Sequence, residues 1–433
     1  MQVSQSTTAQ PGFLPLVIVG AGPAGLAAGI SCLTSGIDFR IIDMGNSLEG
    51  RSHASLSDLG HGIGGAGLYS DGKFSFYPSA TQLWLLEPRH DLEKSYEWMA
   101  SELHRIGVPL PNIPSDVSTT ESTDLIAEQF LEKSYASLYA NFEQREILIQ
   151  KMQGALTGRI WSNTRLYQVE EHERGRRLSL VRPNGVKESL VAGAVLIATG
   201  RFGPLLIHRS PSIPKTFRRL EVGVRIEQPS EKFFLSSHPQ IDPKYILLKE
   251  GEGVEYRTFC CCRNGEIVVI EHEGIRSLSG RSDVTPTGRS NVGFHARILD
   301  SAKAAALWPM LAARLHSFSV PSKMTMAKLL SSANLEETPI GHQLGPEVTR
   351  LIVAGLRRLV EHLGESSFSD ALVHAPALEG LFEYPIVDRG LRVPGNRVWV
   401  AGDANGQFRG LVAALVSGYF AGLQIARELP GMT

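Results

Sequence analysis

Apolar residues change their spacing several times along this chain. Leu16-Val17-Ile18-Val19 is an unbroken apolar run rich in β-branched residues, the pattern of a strand buried on both faces. Gly20-Ala21-Gly22-Pro23-Ala24-Gly25 follows, and LAAGISCLTSG then has helical spacing. Phe39-Arg40-Ile41-Ile42-Asp43 reads as a second strand ending in an acid. From Arg159 to Gly200 the runs RIWSNTRLYQVEE, RRLSLVRPNG and VKESLVAGAVLIATG predict three strands, with a hairpin turn at Asn184-Gly185. The last of these returns as a buried strand ending in Ala198-Thr199-Gly200. Near the other end, Val398-Trp399-Val400-Ala401 predicts a strand and Leu411 to about Glu428 a helix. In the middle, Thr81–Ile106 and Thr123–Leu156 predict helices joined through Pro109, Pro111 and Pro114. Leu220–Glu227 and Val254–Glu271 predict strands of a second sheet, and Ala302–Phe318 and Glu347–Leu363 further helices. No internal repeat or low-complexity run interrupts this order.

The first of these patterns carries chemistry. Strand, G-x-G-x-x-G, helix, strand and carboxylate occur in the order of a dinucleotide site. Gly20 makes the tight turn, Gly22 lets a pyrophosphate approach the backbone, and Gly25 lets helix and strand pack closely. The helix that opens at Pro23 and Ala24 offers free N–H groups and partial positive charge to phosphates. Asp43 can accept both hydroxyls of an adenosine ribose and would repel a 2′-phosphate, which disfavours NADP here. The C-terminal strand supplies the other half. Gly402-Asp403 ends it, and Gly410-Leu411 opens the last helix. Asp403 can bond a ribityl hydroxyl, while that helix N-terminus can face the flavin N1 and C2 carbonyl. The pair of patterns points to FAD.

Bulk properties narrow the setting. A chain of 433 residues holds one or two domains with a sizeable core. With 43 Lys and Arg against 44 Asp and Glu, the net charge is -1. No basic field exists for nucleic acid or an anionic membrane. The four cysteines, Cys32 and the consecutive Cys260, Cys261 and Cys262, make no disulfide framework and suit a reducing, cytoplasmic setting. MQVSQSTTAQPGF lacks the charged and apolar regions of a leader. The apolar run Leu14–Ile37 is long enough to imitate a membrane span, but Gly20, Gly22, Pro23 and Gly25 break it.

The order of these pieces resembles the FAD-binding domain of the glutathione-reductase-like flavoproteins. More narrowly, GGAG-x-Y-S-D-G-K (Gly64 to Lys73), GVRIE (Gly223 to Glu227) and RTFCCC (Arg257 to Cys262) resemble a family of FAD-dependent dehydrogenases of uncharacterised substrate, with similar GGAG-x-x-SDGK and R-x-FC-x-C strings. The chain departs from that family in its third cysteine, in a shortened stretch between Asp43 and Gly62, and in lacking a long N-terminal extension. The resemblance implies an α/β fold: a Rossmann FAD-binding domain over 14–201 and 392–433, with a helical insertion at about 81–157, and an inserted mixed α+β substrate domain over 202–391. It implies that Leu166 passes the adenine by its backbone. It also implies that the glycine-rich loop folds over the pyrophosphate and the flavin edge, with Gly64, Gly65, Ala66 and Gly67 admitting close backbone approach. Ser70 and Asp71 can then bond flavin or orient substrate, and Arg51 can neutralise a phosphate. Thr199 and Gly200 end the strand beside the fingerprint.

Catalytic groups are less legible. On a regular strand Cys260 and Cys262 share one face, and small core residues are the simpler account of them. Neighbours on one strand supply too few converging ligands for zinc, so no metal is expected. Among thirteen histidines, His53, His61 and His295 lie near the motifs. Cys262 and His295 are the catalytic candidates. There is no G-x-S-x-G, HExxH or P-loop, and only one dinucleotide fingerprint. The expectation is an FAD-dependent dehydrogenase or oxidase that exchanges hydride with a small organic substrate and passes electrons to oxygen, a quinone or another carrier, with transiently bound NAD(P)H as the other possible reductant of the flavin. An NAD(P)H-dependent flavin monooxygenase and a non-catalytic flavin-binding regulatory protein remain open alternatives.

Overall fold

The computed structural model describes residues 12–114, 117, 129–249, 253–317 and 320–429. Residues 1–11, residues 123–128 of the predicted helix and the last four residues lie outside them.

Two large sheets organise the molecule. In the first, strand Phe13–Val19 pairs in parallel with Phe39–Ile42 on one side and with the long strand Lys187–Ile197 on the other. Val398–Val400 joins that long strand in parallel at Val195–Ile197, and Ile160–Trp161 extends the opposite edge. Both faces are covered. Leu16 and Ile18 pack into one core cluster and Val17 and Val19 into another, which is why this strand is apolar at every position. The first half of Lys187–Ile197 instead pairs antiparallel with Gly175–Val181, which pairs with Arg165–His172. The expected three-stranded excursion therefore grows from the parallel sheet. Helix Pro23–Thr34 packs along the C-terminal helix Leu411–Glu428.

The second sheet has seven strands, all antiparallel: in spatial order Ser322–Thr325, Leu372–Gly380, Leu220–Pro229, Arg289–Ile298, Val254–Cys262, Lys244–Lys249 and Leu131–Lys133. One face, with Val222, Val224, Phe294 and Tyr256, is buried, and the Tyr256 ring lies against Gly355 of helix Pro346–Leu363. The other face carries Glu221, Arg225, Arg257, His295 and Arg297. The molecule is thus mixed α/β with a sheet of parallel strands at its centre. No helix among the described residues is long and apolar enough to cross a membrane.

Four predicted elements differ from those found. RIWSNTRLYQVEE splits into Ile160–Trp161 and Arg165–His172, which lie on opposite edges of the first sheet. The described part of Thr123–Leu156 holds strands Leu131–Lys133 and Ser137–Tyr139 before helix Phe142–Ala155. The helix starts late because Asn141 and Gln144 form a reciprocal capping box, while the strands pair with Lys244–Ile246 and Lys73–Ser75, partners far along the chain. Thr81–Ile106 is a short 3-10 turn at Thr81–Leu85 and then helix Arg89–Arg105, separated at Pro88, which has no N–H to continue a ladder. Val254–Glu271 breaks at a turn where Asn264 has φ 49°, and Glu266–His272 leaves to form its own hairpin with Ile275–Arg281.

Candidate functional site

A cleft of about 350 Å³ runs between the parallel sheet and the hairpin 266–281, a size within the range of small-molecule sites. The two helix starts read from the sequence meet in it. Helix Pro23–Thr34 begins after Gly22 and the C-terminal helix after Gly410, and neither start has a side-chain cap. Their first N–H groups therefore lack partners within their helices, and Gly22, Pro23, Ala24, Gly410 and Leu411 all line the cleft. Thr199 Oγ1 is buried there with no hydrogen-bond partner among the described residues.

The glycine-rich loop closes one side. Gly64 donates its N–H to the Ala21 carbonyl at 2.8 Å, which pins the loop to the fingerprint turn. Gly65 has φ 57°, and a Cβ there would lie 2.9 Å from Gly22 Cα. A Cβ on Gly67 would lie 2.6 Å from Leu411 Cδ2 and 3.0 Å from Pro23 Cγ. The loop is wedged between the two helix starts, and glycine is what lets backbone meet backbone there. Ser70 Oγ donates to the Gly67 carbonyl at 2.8 Å and keeps the loop curled.

Asp43 organises the same region. The Ala21 amide donates to its Oδ2 at 2.7 Å, and the Gly45 and Gly62 amides donate to Oδ1 at 2.8 and 3.0 Å. It still borders the cleft, with lone-pair capacity left on Oδ2. At the other end, the Gly402 amide donates to Ser417 Oγ at 2.9 Å, and Gly410 N–H lies 3.4 Å from Asp403 Oδ1. Burial raises the Asp403 carboxyl above its ordinary value. Arg201 pairs with Glu379, and Arg409 bridges Glu379 at 2.7 Å to Glu221.

Of the residues singled out for a cofactor, Gly20, Gly22, Pro23, Ala24, Asp43, Gly65, Ala66, Gly67, Ser70, Leu166, Thr199, Gly200, Gly402, Asp403, Gly410 and Leu411 border this one cleft. Gly25, Gly64 and Arg51 lie behind it. A Cβ on Gly25 would overlap the Gly20 carbonyl oxygen, so its place is in helix–strand packing. Arg51 requires a correction. Its guanidinium donates to the carbonyls of Asp58, Ile63 at 2.6 Å and Gly65 at 2.9 Å, and lies 4.6 Å from the Tyr69 ring centroid. Four of its five donors hold the loop and it lies outside the cleft lining, so it is not placed to meet a phosphate there. Neither catalytic candidate borders the cleft. His295 is buried, stacked on Phe259 at 4.7 Å, with no partner for either ring nitrogen among the described residues. Cys262 lies beneath the wall formed by Asp71 and Lys73. His53 is exposed beside the Tyr69 ring, and His61 Nε2 meets the Glu271 carbonyl at 3.0 Å.

The opposite wall escaped sequence reading. Val268, Ile270, His272 and Glu273 come from the hairpin. His272 stacks on Phe202 with centroids 4.8 Å apart, and burial pushes it down to about 3. Glu273 takes Arg209 at 2.6 and 3.0 Å and Arg165 at 3.1 Å. Nothing local marks these residues.

No family model matches this chain, and no curated protein matches its sequence. Solved structures resemble it distantly. The substrate-free rebeccamycin biosynthetic enzyme RebC is 12% identical over 98% of this chain and 64% of its own, with TM-score 0.40. Aklavinone-11 hydroxylase, solved as a ternary complex with FAD and aklavinone, is 16% identical over 98% and 64%, with TM-score 0.39. A flavoprotein/dehydrogenase from Cytophaga hutchinsonii is 11% identical over 97% and 80%, with TM-score 0.40. The chain spans less than two thirds of the length of the first two. At these scores the likeness is coarse, and it is the cleft that carries the chemistry.

Proposed function

We propose that this protein is an FAD-dependent oxidoreductase, a dehydrogenase or oxidase with a glutathione-reductase-like FAD domain (14–201 and 392–433) and a substrate domain built on the antiparallel sheet (202–391). One observation carries the reading: two uncapped helix starts, one from each end of the chain, open on a single glycine-lined cleft. A dinucleotide has two polar stations for such starts, the pyrophosphate and the electron-rich edge of its flavin.

The residues fit FAD in named roles. The amides at the start of helix Pro23–Thr34 hold the pyrophosphate, with the Ala66 and Gly67 amides facing it from the loop. Asp43 Oδ2 accepts a ribose hydroxyl, and its charge disfavours a 2′-phosphate. Leu166 borders the adenine. Asp403 accepts a ribityl hydroxyl, and the start of the C-terminal helix at Gly410-Leu411 faces the ring carbonyl. The Arg201–Glu379–Arg409 chain fixes charge at that end of the cleft. FAD, when bound, supplies the hydride acceptor, while this chain supplies position, charge and exclusion of water. The substrate is a small organic molecule; the reading places the protein in the cytoplasm.

Anaerobic mixing tests the reaction class. The flavin of the reconstituted protein should bleach slowly with NADPH and NADH and fast with an organic metabolite. Rapid bleaching by NADPH would instead make it a monooxygenase. A flavin that no metabolite or nicotinamide reduces would leave a binding protein without turnover.

A further inference from the structure

The strand Val254–Cys262 is irregular where its cysteines lie. Its pairing with Arg289–Ile298 slips between Phe259 and Cys262, and Cys260 has φ 49°. On a regular strand, residues two apart are separated by about 6–7 Å along the chain. Here the bulge brings Cys260 Sγ and Cys262 Sγ to 3.6 Å. Arg225, fully buried, reaches both sulfurs at 3.9 and 3.8 Å and donates to the Cys260 carbonyl at 2.8 Å. Its Nη1 has no partner among the described residues. Asp71 Oδ2 lies 3.2 Å from Cys260 Sγ and borders the cleft. Buried Lys73 holds Asp71 at 2.9 Å and Asp242 at 3.2 Å.

A thiol that merely fills a core needs no charge beside it. Two cations within reach of a sulfur are the surroundings that favour a thiolate. The hydrogen bond from Cys260, then Lys73 and Arg225, outweigh burial and the Asp71 charge and bring Cys262 below the ordinary thiol range, whereas burial pushes Cys32 and Cys261 up to about 12. Asp71, Cys260 and Cys262 also converge closely enough to be considered as metal ligands. Lys73 and Arg225 occupy the same neighbourhood with positive charge and oppose a divalent cation there.

We propose that Cys260 and Cys262 are a redox-active dithiol behind the cleft wall, oxidised by a small hydroperoxide to a disulfide within the strand. The Cys262 thiolate attacks one peroxide oxygen. The O–O bond breaks, the departing hydroxide takes from solvent the proton that Cys262 released on ionising and becomes water, and Cys262 becomes a sulfenic acid. Cys260 gives its proton to Asp71 and attacks the Cys262 sulfur. The S–S bond forms as the S–O bond breaks, and the released hydroxide recovers the proton as a second water. Two thiols lose two electrons, and hydrogen peroxide gains them. Cys262 is fully buried and Cys260 half-buried, so the proposal is confined to a small oxidant.

The test is a thiol count on the full chain, reduced, freed of reductant without oxygen, treated with hydrogen peroxide and then denatured. Two of the four cysteine thiols should disappear and return with dithiothreitol. In Cys260→Ser no disulfide forms, and dimedone should label Cys262. Cys261→Ser should behave as wild type. Four thiols persisting in the folded, treated chain would overturn the proposal, as would loss from Cys32 or Cys261, or a stoichiometric zinc ion that protects the pair. The wild-type count decides even if the serine variants fail to fold, and it is independent of whether FAD is bound.

Discussion

Asp43 shows how much one side chain does at this site. Its carboxylate collects three backbone amides from three separate stretches of chain and still borders the cleft. Asp43→Ala should weaken FAD binding by about 1–3 kcal/mol, since charge-assisted bonds are lost and the amides are left unpaired. Equilibrium titration with FAD checks this, and unchanged affinity would mean that the ribose lies elsewhere. Asp43 and the fingerprint glycines were readable from sequence because a strand, a turn and a helix lie within one short stretch. Arg51 was not. Its position after Asp43 suggested a phosphate partner, but a guanidinium has five donors and several directions to point. The loop's own carbonyls claim them. The cysteines were half legible: spacing placed Cys260 and Cys262 on one face, while the bulge that joins their sulfurs depends on the neighbouring strand.

The contact between the first and last helices decides whether the cleft exists. A Cβ on Gly418 would overlap the Ala24 carbonyl oxygen, and one on Gly422 would lie 2.5 Å from Ser31 Cβ. These glycines, one turn apart, let the helices touch backbone to backbone beside their shared opening. Helix propensity alone favours Gly418→Ala by up to about 1 kcal/mol. Overpacking predicts the opposite sign, a loss of about 1–3 kcal/mol. Thermal unfolding settles which wins, and a raised Tm would contradict the contact. The C-terminal helix was legible to the residue because its apolar pattern is long and starts at glycine. Strands Leu131–Lys133 and Ser137–Tyr139 were not, because three residues carry too little period and their pairing partners are remote.

Across the whole molecule, a buried ion network ties the cleft to the polar face of the second sheet. Arg201, Glu379, Arg409 and Glu221 form a chain, and Glu221 also takes Arg219 at 3.0 Å and Arg297 at 3.1 Å. Burial alone would raise the Glu221 carboxyl. Arg409 and Arg219 overcome that and hold it well below the ordinary 4.5. A depressed folded-state value gives stability that is complete above the ordinary carboxylate range and is lost as pH falls toward the folded value. Denaturant unfolding should therefore show stability declining below about pH 4.5. Glu221→Gln should remove about 3–5 kcal/mol at pH 7 and flatten that decline. An equally steep decline in the variant would assign the acid sensitivity to other carboxylates. The same long-range order explains why the hairpin wall was invisible in the sequence: its residues reach the fingerprint only through the complete fold. The central claim, that both ends of the chain build one FAD site, is tested most directly by releasing the cofactor with heat from the purified chain and quantifying it by chromatography. The account predicts about one FAD per chain, bound without a covalent link, and none in Gly22→Val, whose side chain would enter the pyrophosphate's space. Release of FMN, flavin retained by the unfolded chain, or a folded wild type that takes up no FAD when it is supplied would contradict it.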